Sequence, residues 1–290
     1  MDAGPLGGGH VHLSRRDPVN GGILVVTVSF DPGKEPAGLH LMGSFEEIDF
    51  PFFPLPGRPL ASAAAGAPVA ARVSTWGALV GVAYDHPVGA SAIYVHLDTP
   101  TSHWAVKQDI DVRLGKYKSE ILKVDPTRVK PPEDALPRIE AEKEETAKTY
   151  AASVLEPFLL QGFNLPIGTA VTSRYGNKRL FNGELASYHS GVDLRARVGT
   201  PVHAAGEARV ALAKNLYYTG NTVILDHGFG IFTLYGHLSK IQVAEGQRVV
   251  GGDLLGLAGA TGRVTGPHLH WGAVVHGTKV NPLDLLRVTW

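Results

Sequence analysis

From Gly22 onward the chain alternates. Leu24, Val26, Val28 and Phe30 share one parity while Val25, Thr27 and Ser29 share the other, the two-residue period of a strand. The period returns at Ile93, Val95 and Leu97 against Tyr94, His96 and Asp98, and again at Ile110, Val112 and Leu114 against Asp111 and Arg113. Turns bearing Pro and Gly separate these runs, which predicts an Ig-like antiparallel β-sandwich over residues 18–125. One stretch breaks the pattern: Phe50-Pro51-Phe52-Phe53-Pro54-Leu55-Pro56. Proline gives no N–H to a ladder, so this cannot be a central strand and reads as a rigid loop. Ala61 to Ala71 reads as strand or loop, and residues 1–17, glycine-rich at the start, as a flexible tail.

The period changes after Val124. Pro126, Pro131, Pro132 and Pro137 mark a linker, and Arg138 to Leu155, dense in Glu, Lys and Ala, predicts a solvated helix that Pro157 stops. Glu144 and Lys148 stand in the favourable i,i+4 order. Residues 126–160 are therefore a linker and charged helix between two domains. Strands return over residues 161–290, at Thr222 to Leu225, Ile231 to Leu234 and Gln247 to Leu257, broken by Asp226-His227-Gly228 and Gly251-Gly252. The chain as a whole is mainly β, with an antiparallel sheet domain at its C-terminal end.

Composition narrows the function. The 290 residues are 44% hydrophobic and 19% charged with a formal net charge of zero, which argues against binding nucleic acid by phosphate neutralisation. There are no cysteines, so disulfides and thiolate metal sites are excluded. No run approaches the ~18 apolar residues of a membrane span, and the chain does not open on a basic stretch and apolar core, so no signal peptide is expected within it.

The chemistry-bearing residues gather in the last third. Tyr188-His189-Ser190-Gly191-Val192-Asp193 opens a segment that Pro267-His268-Leu269-His270-Trp271-Gly272 closes, with Leu234-Tyr235-Gly236-His237 between them. Side chains two or four apart on a strand face the same way, so each piece presents its pair to one side and one sheet can gather all four groups. A catalytic zinc typically takes three protein ligands and leaves a position for water. His189, Asp193 and one of His268 and His270 meet that need, which frees the other histidine and His237 for proton transfer. Spacing alone leaves open which member of the pair binds metal. The chain also holds a control, His10-Val11-His12, expected to do nothing. Glycines of Gly259 to Gly266 do not make a phosphate loop, because no Lys-Ser/Thr pair follows them. No His-Glu-x-x-His, cysteine nucleophile or Gly-x-Ser-x-Gly elbow is present.

Taken together these motifs resemble the LytM/lysostaphin-type zinc metallopeptidases, which cut peptide bonds in bacterial peptidoglycan. The likeness runs from Asn177 to Asp284 through HSGVDLRARVGTPVHAAGEARV, the stretch from GNTVILDHGFG to TGPHLHWG, and VNPLDLL. It implies one zinc per chain held by His189, Asp193 and His270, with His237 and His268 catalytic. Of these, His268 is expected as base and His237 as stabiliser of the oxyanion. Trp271-Gly272 stands where many members have an aromatic residue followed by Glu. Tyr175 and Arg179 match a segment before the zinc motif and are expected either to line the groove or to support it. The resemblance further implies an extracytoplasmic, periplasmic or secreted monomer with peptidoglycan as its partner. The rival expectation is a non-catalytic relative that binds the wall or activates other hydrolases. The sandwich is expected to flank the cleft and leave the zinc reachable; the alternative is that the Phe50 to Pro56 segment plugs it. His203 and His227 are expected as turn and strand residues, and His40, His86, His96, His103 and His276 as structural or exposed.

Overall fold

The computed structural model describes residues 8–59, 72–122, 131–181 and 184–290; Ala61 to Ala71 and Pro126 lie outside them. Alternation has become strands: β1 (Gly9–Leu13), β2 (Ile23–Phe30), β3 (His40–Phe45), β4 (Ile48–Pro51), β5 (Phe53–Pro59), β6 (Arg72–Gly81), β7 (Gly89–Asp98) and β8 (His103–Val112). These pair antiparallel into two four-stranded sheets, ordered β1-β2-β6-β5 and β4-β3-β7-β8. Leu24, Val26, Val28 and Phe30 pack with Ile93, Val95 and Leu97 in one buried cluster between the sheets. The parity read from the sequence is the parity of burial, except at Leu114, which lies beyond β8 and is exposed.

Two expectations are corrected here. Residues 9–13 are not tail: β1 pairs with β2 from Gly9↔Phe30 to Leu13↔Val26. Leu13 is buried and His10 and His12 are exposed, but a five-residue alternation after a glycine run is too short to stand out in sequence. Residues 50–56 are not loop either. They form parts of β4 and β5, and both are edge strands, where proline costs no ladder bond. Phe50, Phe52, Phe53 and Leu55 are all buried.

After the sandwich come β9 (Ser119–Leu122) and the helix α1 (Leu136–Ala151). Pro137 sits in the first turn, where its missing N–H is not needed. The helix ends at Ala151, short of the predicted Leu155, because the next residues bond elsewhere. Ser153 Oγ (2.7 Å) and the Val154 N–H (2.9 Å) both donate to the Asp226 carboxylate. Among the described residues none of α1 is buried, so it lies on the second half as a brace. Lys214 pairs with Glu145 at 2.9 Å, the Tyr217 N–H donates to Glu142 at 2.7 Å, and the Tyr150 ring meets Phe232 edge-on at 5.2 Å.

The second half runs β10 (Val171–Ser173), β11 (Lys178–Phe181), β12 (Glu184–Tyr188), β13 (Gly191–Arg195), β14 (Pro201–His203), β15 (Ala208–Leu216), β16 (Gly220–Asp226), β17 (Ile231–Ile241), β18 (Arg248–Val249), β19 (Leu254–Ala258), β20 (His268–Val275) and β21 (Thr278–Val280). Its main sheet is ordered β10-β13-β20-β17-β16-β15-β18, with β14, β19 and β21 joined at the side. Strand β9 crosses over to pair in parallel with β11.

The halves on either side of the proline-marked linker share a core. Phe53, Leu55 and Leu79 of the sandwich belong to the same buried cluster as Ile231, Ala273 and Val275. Phe53 lies 5.0 Å from both Phe229 and Trp290, and the Asn281 N–H donates to the Gly21 carbonyl at 2.8 Å. Phe50 packs near His276 at 5.8 Å. His276 follows His270 by six residues, and a strand rises ~3.3 Å per residue, so this contact is roughly 20 Å along the sheet from His270. The Phe50 to Pro56 segment therefore closes the far end of the sheet and does not plug the cleft. A second contact lies nearer the cleft: Tyr84 stacks on Tyr188 at 4.0 Å, with Tyr117 and Tyr175 beside them.

Candidate metal centre

Four of the five histidine and aspartate positions singled out by motif fall on three neighbouring strands, and the fifth lies just before one of them. Asp193 is on β13, His268 and His270 are on β20 next to it, and His237 is on β17 beyond; His189 enters just before β13. Register sets the faces. Asp193 pairs with His270 and Arg195 with His268, while Gly236 of β17 pairs with His270 from the other side. His268, His270 and Gly272 thus share the cleft face, and Leu269, Trp271 and Ala273 turn into the core. Trp271 is fully buried, and the departure from the family pattern falls on Gly272, on the cleft face, where a Cβ would stand 3.9 Å from His270 Nε2. Gly191 has a steric reason: a Cβ there would stand 2.5 Å from the Trp271 carbonyl oxygen and 2.7 Å from His270 Cε1.

His189 Nε2, Asp193 Oδ1 and His270 Nδ1 form a tight triangle. His189 Nε2 is 3.0 Å from Asp193 Oδ1 and 3.1 Å from His270 Nδ1, and His270 Nδ1 is 3.0 Å from Asp193 Oδ1. Zinc with ligand bonds near ~2.1 Å in a tetrahedron spaces its donors about 3.4 Å apart, so two imidazole nitrogens and a carboxylate oxygen at this separation fit zinc in both chemistry and size. The outer nitrogen of His189 is fixed by neighbours, with Nδ1 3.1 Å from the Arg174 carbonyl and from Ser173 Oγ. This is the second contact that orients a metal-binding imidazole. Burial alone would raise the Asp193 carboxyl, but hydrogen bonds to His189 and His270 and their charge outweigh it and hold the group well below the usual carboxylate range.

His237 and His268 stand beside this triangle and outside it. Their rings are 4.8 Å apart, His237 is 5.9 Å from the His270 ring, and His268 Nε2 is 3.6 Å from Asp193 Oδ1. Each is tied by Nδ1 to a backbone carbonyl at 2.9 Å, His237 to Thr261 and His268 to Gly266. Their Nε2 atoms are left for chemistry. His237 takes the left-handed φ of +63°, and its N–H donates to the Thr219 carbonyl at 2.6 Å. Such a φ on a residue other than glycine is costly, and here it falls where the ladder of β17 loses register and the side chain enters the cleft. Burial, reinforced by His270, pushes His237 down to about 4, so it is neutral near pH 7.

Thr261 is the positioning residue that sequence reasoning missed. Its carbonyl receives His237 Nδ1–H, while its hydroxyl donates to Leu238 (2.8 Å) and accepts from the Asn221 N–H (2.9 Å). Its part is played by a backbone carbonyl in a turn, which carries no residue-type signal in the sequence. Tyr175, expected as groove lining or support, is buried with its hydroxyl donating to the Lys279 carbonyl at 2.8 Å, which is support; the Arg179 side chain lies outside the described residues. His227 is fully buried, and His203 Nδ1 donates to the Gly252 carbonyl at 2.8 Å.

Residues 187–282 match peptidase family M23. Over 95 residues the chain is 47% identical to the peptidoglycan DD-endopeptidase ShyA of Vibrio cholerae, 33% of this chain and 22% of that one. Over 130 residues it is 38% identical to the DD-carboxypeptidase/endopeptidase Mpg of Neisseria meningitidis serogroup B, 44% of this chain and 30% of that one. The matched stretch is thus less than a third of either relative's length. The crystal structure of a Pseudomonas aeruginosa protein provisionally assigned to peptidase M23 is similar across the whole molecule. Its TM-score is 0.66 at 25% identity, over 93% of this chain and 95% of that one. With the motif, the metal triangle and the sheet that carries them in agreement, residues 187–282 form a peptidase family M23 domain.

Proposed function

We propose that the chain is a zinc-dependent endopeptidase that hydrolyses peptide bonds in peptidoglycan, acting as a monomer outside the cytoplasm. In this reading residues 161–290 are the peptidase domain, 18–125 the sandwich and 126–160 the connection. The observation that carries it is the convergence of two separate sets: a metal triangle of His189, Asp193 and His270, and two histidines beside it with their Nδ1 atoms already committed. A wall-binding relative without activity would need neither His237 in a strained backbone nor His268 held by Gly266.

Zinc, when bound by His189, Asp193 and His270, supplies Lewis-acid polarisation and a water activated near neutral pH. The rest falls to the side chains. His268, with Nδ1–H committed to the Gly266 carbonyl, turns Nε2 to the cleft and acts as the base. For His237 to donate to the developing oxyanion its Nε2 must carry a proton, which the attacking water supplies by way of His268, 4.8 Å away ring to ring. The Thr261 and Gly266 carbonyls keep both rings from flipping the committed nitrogen into the cleft. Side-chain exposures of 20% for His268 and 12% for His270 leave the cleft open to a peptide.

Digestion of purified cell walls, with the released fragments identified by mass spectrometry, tests this. The zinc-loaded chain is expected to release peptide fragments. His237→Ala and His268→Ala are each expected to keep zinc and to cleave ~100- to 10,000-fold more slowly. A zinc-loaded chain that releases nothing would overturn the reading, and near-normal turnover in either variant would remove that histidine from the chemistry.

A further inference from the structure

Arg195 closes strand β13 at the edge of the cleft. The strand is buried from Gly191 to Leu194 and turns exposed only at Arg195. Its register partner on β20 is His268, as that of Asp193 is His270. Asp193 and His270 meet across the strands on the cleft face, and residues two apart share a face, so the Arg195 side chain springs from that face beside His268. The backbone there is pinned on both flanks, since the Arg195 N–H donates to the Ala170 carbonyl at 2.9 Å on the side away from β20.

The guanidinium, by contrast, has no hydrogen-bond or ion-pair partner among the described residues. Several exposed arginines elsewhere are matched, Arg113 with Asp111 at 2.9 Å, Arg138 with Glu142 at 2.6 Å and Arg248 with Glu156 at 3.4 Å, while others such as Arg197 are not. The carboxylate nearest along its own strand, Asp193, is committed to His189 and His270. A positive group is therefore fixed at its root, free at its tip, and placed next to a histidine that faces the reacting peptide. A guanidinium fork binds a carboxylate through two parallel hydrogen bonds.

We propose that Arg195 is a carboxylate-binding subsite, and that the substrate carries a free carboxylate within a residue or two of the bond that is cut. The proposal rests on the peptidase reading and sharpens it. A stem peptide of the wall, with its free carboxylates, belongs to this substrate class, whereas an uncharged glycine bridge does not.

Two synthetic peptides that differ only in a free carboxylate or carboxamide beside the scissile bond provide the test. Values of kcat/KM are measured for the zinc-loaded chain, Arg195→Ala and Arg195→Lys, and binding of both peptides to the metal-free proteins is followed by NMR shift perturbation. The unaltered chain is expected to favour the carboxylate peptide by roughly 10- to 100-fold, the range of a charge-assisted hydrogen bond. Arg195→Ala is expected to lose that preference, and Arg195→Lys to regain part of it as a point charge without the fork. An equal fall for both peptides in Arg195→Ala, or a preference that survives it, would overturn the subsite. If the unaltered chain cleaves neither peptide, the peptidase reading fails. The binding arm then decides alone: carboxylate-selective binding that Arg195→Ala abolishes supports the subsite, and its absence overturns it.

Discussion

Two strands of this molecule carry a His-x-His pair, and only one of them makes a site. In β1, His10 and His12 point outward and face Ser29 and Thr27 of β2. In β20, His268 and His270 point into the cleft and face Arg195 and Asp193 of β13, with Gly236 and then His237 on the other flank. The local pattern is the same in both. The difference lies in the neighbours: β1 is an edge strand with one partner, while β20 lies between two that bring a carboxylate and a further histidine. Two imidazoles on a strand cannot close a zinc site, which needs a third protein ligand from elsewhere.

The largest expected effect breaks this comparison directly. His270→Ala removes one corner of the triangle and is expected to lose most bound zinc and all detectable wall cleavage. The double variant His10→Ala/His12→Ala is expected to keep both. Metal content by elemental analysis, read beside the wall digest, checks it; full zinc occupancy in His270→Ala would sink the ligand assignment.

The same contrast explains what could be read from sequence. That one sheet could gather Asp193 and the His268/His270 pair was legible, because strand parity is local and the motif pieces lie in fixed order; the register of Asp193 against His270 was not. Which histidine of the pair takes the metal was not legible from spacing, since both share a face; the family resemblance pointed to His270, and the structure puts His270, not His268, in the triangle. Long-range packing was invisible as well. Nothing in Phe53, Leu55 or Leu79 says that they will meet Ile231 and Val275 rather than stay inside the sandwich. Composition marks a linker between two domains, and the fold joins them through a shared core. Leu79 is fully buried in that core, so Leu79→Ala is expected to cost roughly 2–5 kcal/mol of stability and to lower the unfolding of both halves together. Calorimetry that shows two separate transitions, with only the sandwich destabilised, would restore the picture of independent domains. For the same reason a chain begun near Gln161 is expected to fold poorly.

A third histidine environment completes the comparison and gives the smallest effect. His227 is neither outward like His12 nor open to a cleft like His268; it is wholly inside. Its Nδ1 is 2.7 Å from the Glu207 carbonyl and its Nε2 2.7 Å from Thr233 Oγ1, with Phe163 edge-on at 4.9 Å. Nδ1 donates to the carbonyl, while the Thr233 hydroxyl, able to donate or accept, suits Nε2 in either role, so it is burial that disfavours the charged ring. Burial pushes its pKa from 6.5 down to about 4. The unfolded chain then binds the proton more readily, so the stability this group contributes is present above about pH 6.5 and is lost as pH falls toward 4. Between pH 7.5 and pH 5 the loss amounts to roughly 2 kcal/mol. His227→Gln removes the titrating group while keeping a polar side chain, and whatever it costs at pH 7.5, it is expected to lose less on going to pH 5 than the unaltered chain does. Denaturant titrations of both proteins at the two pH values measure that difference. Equal losses would mean that protonation of His227 is not what the interior resists, and that its carbonyl and hydroxyl partners adjust to the charged ring.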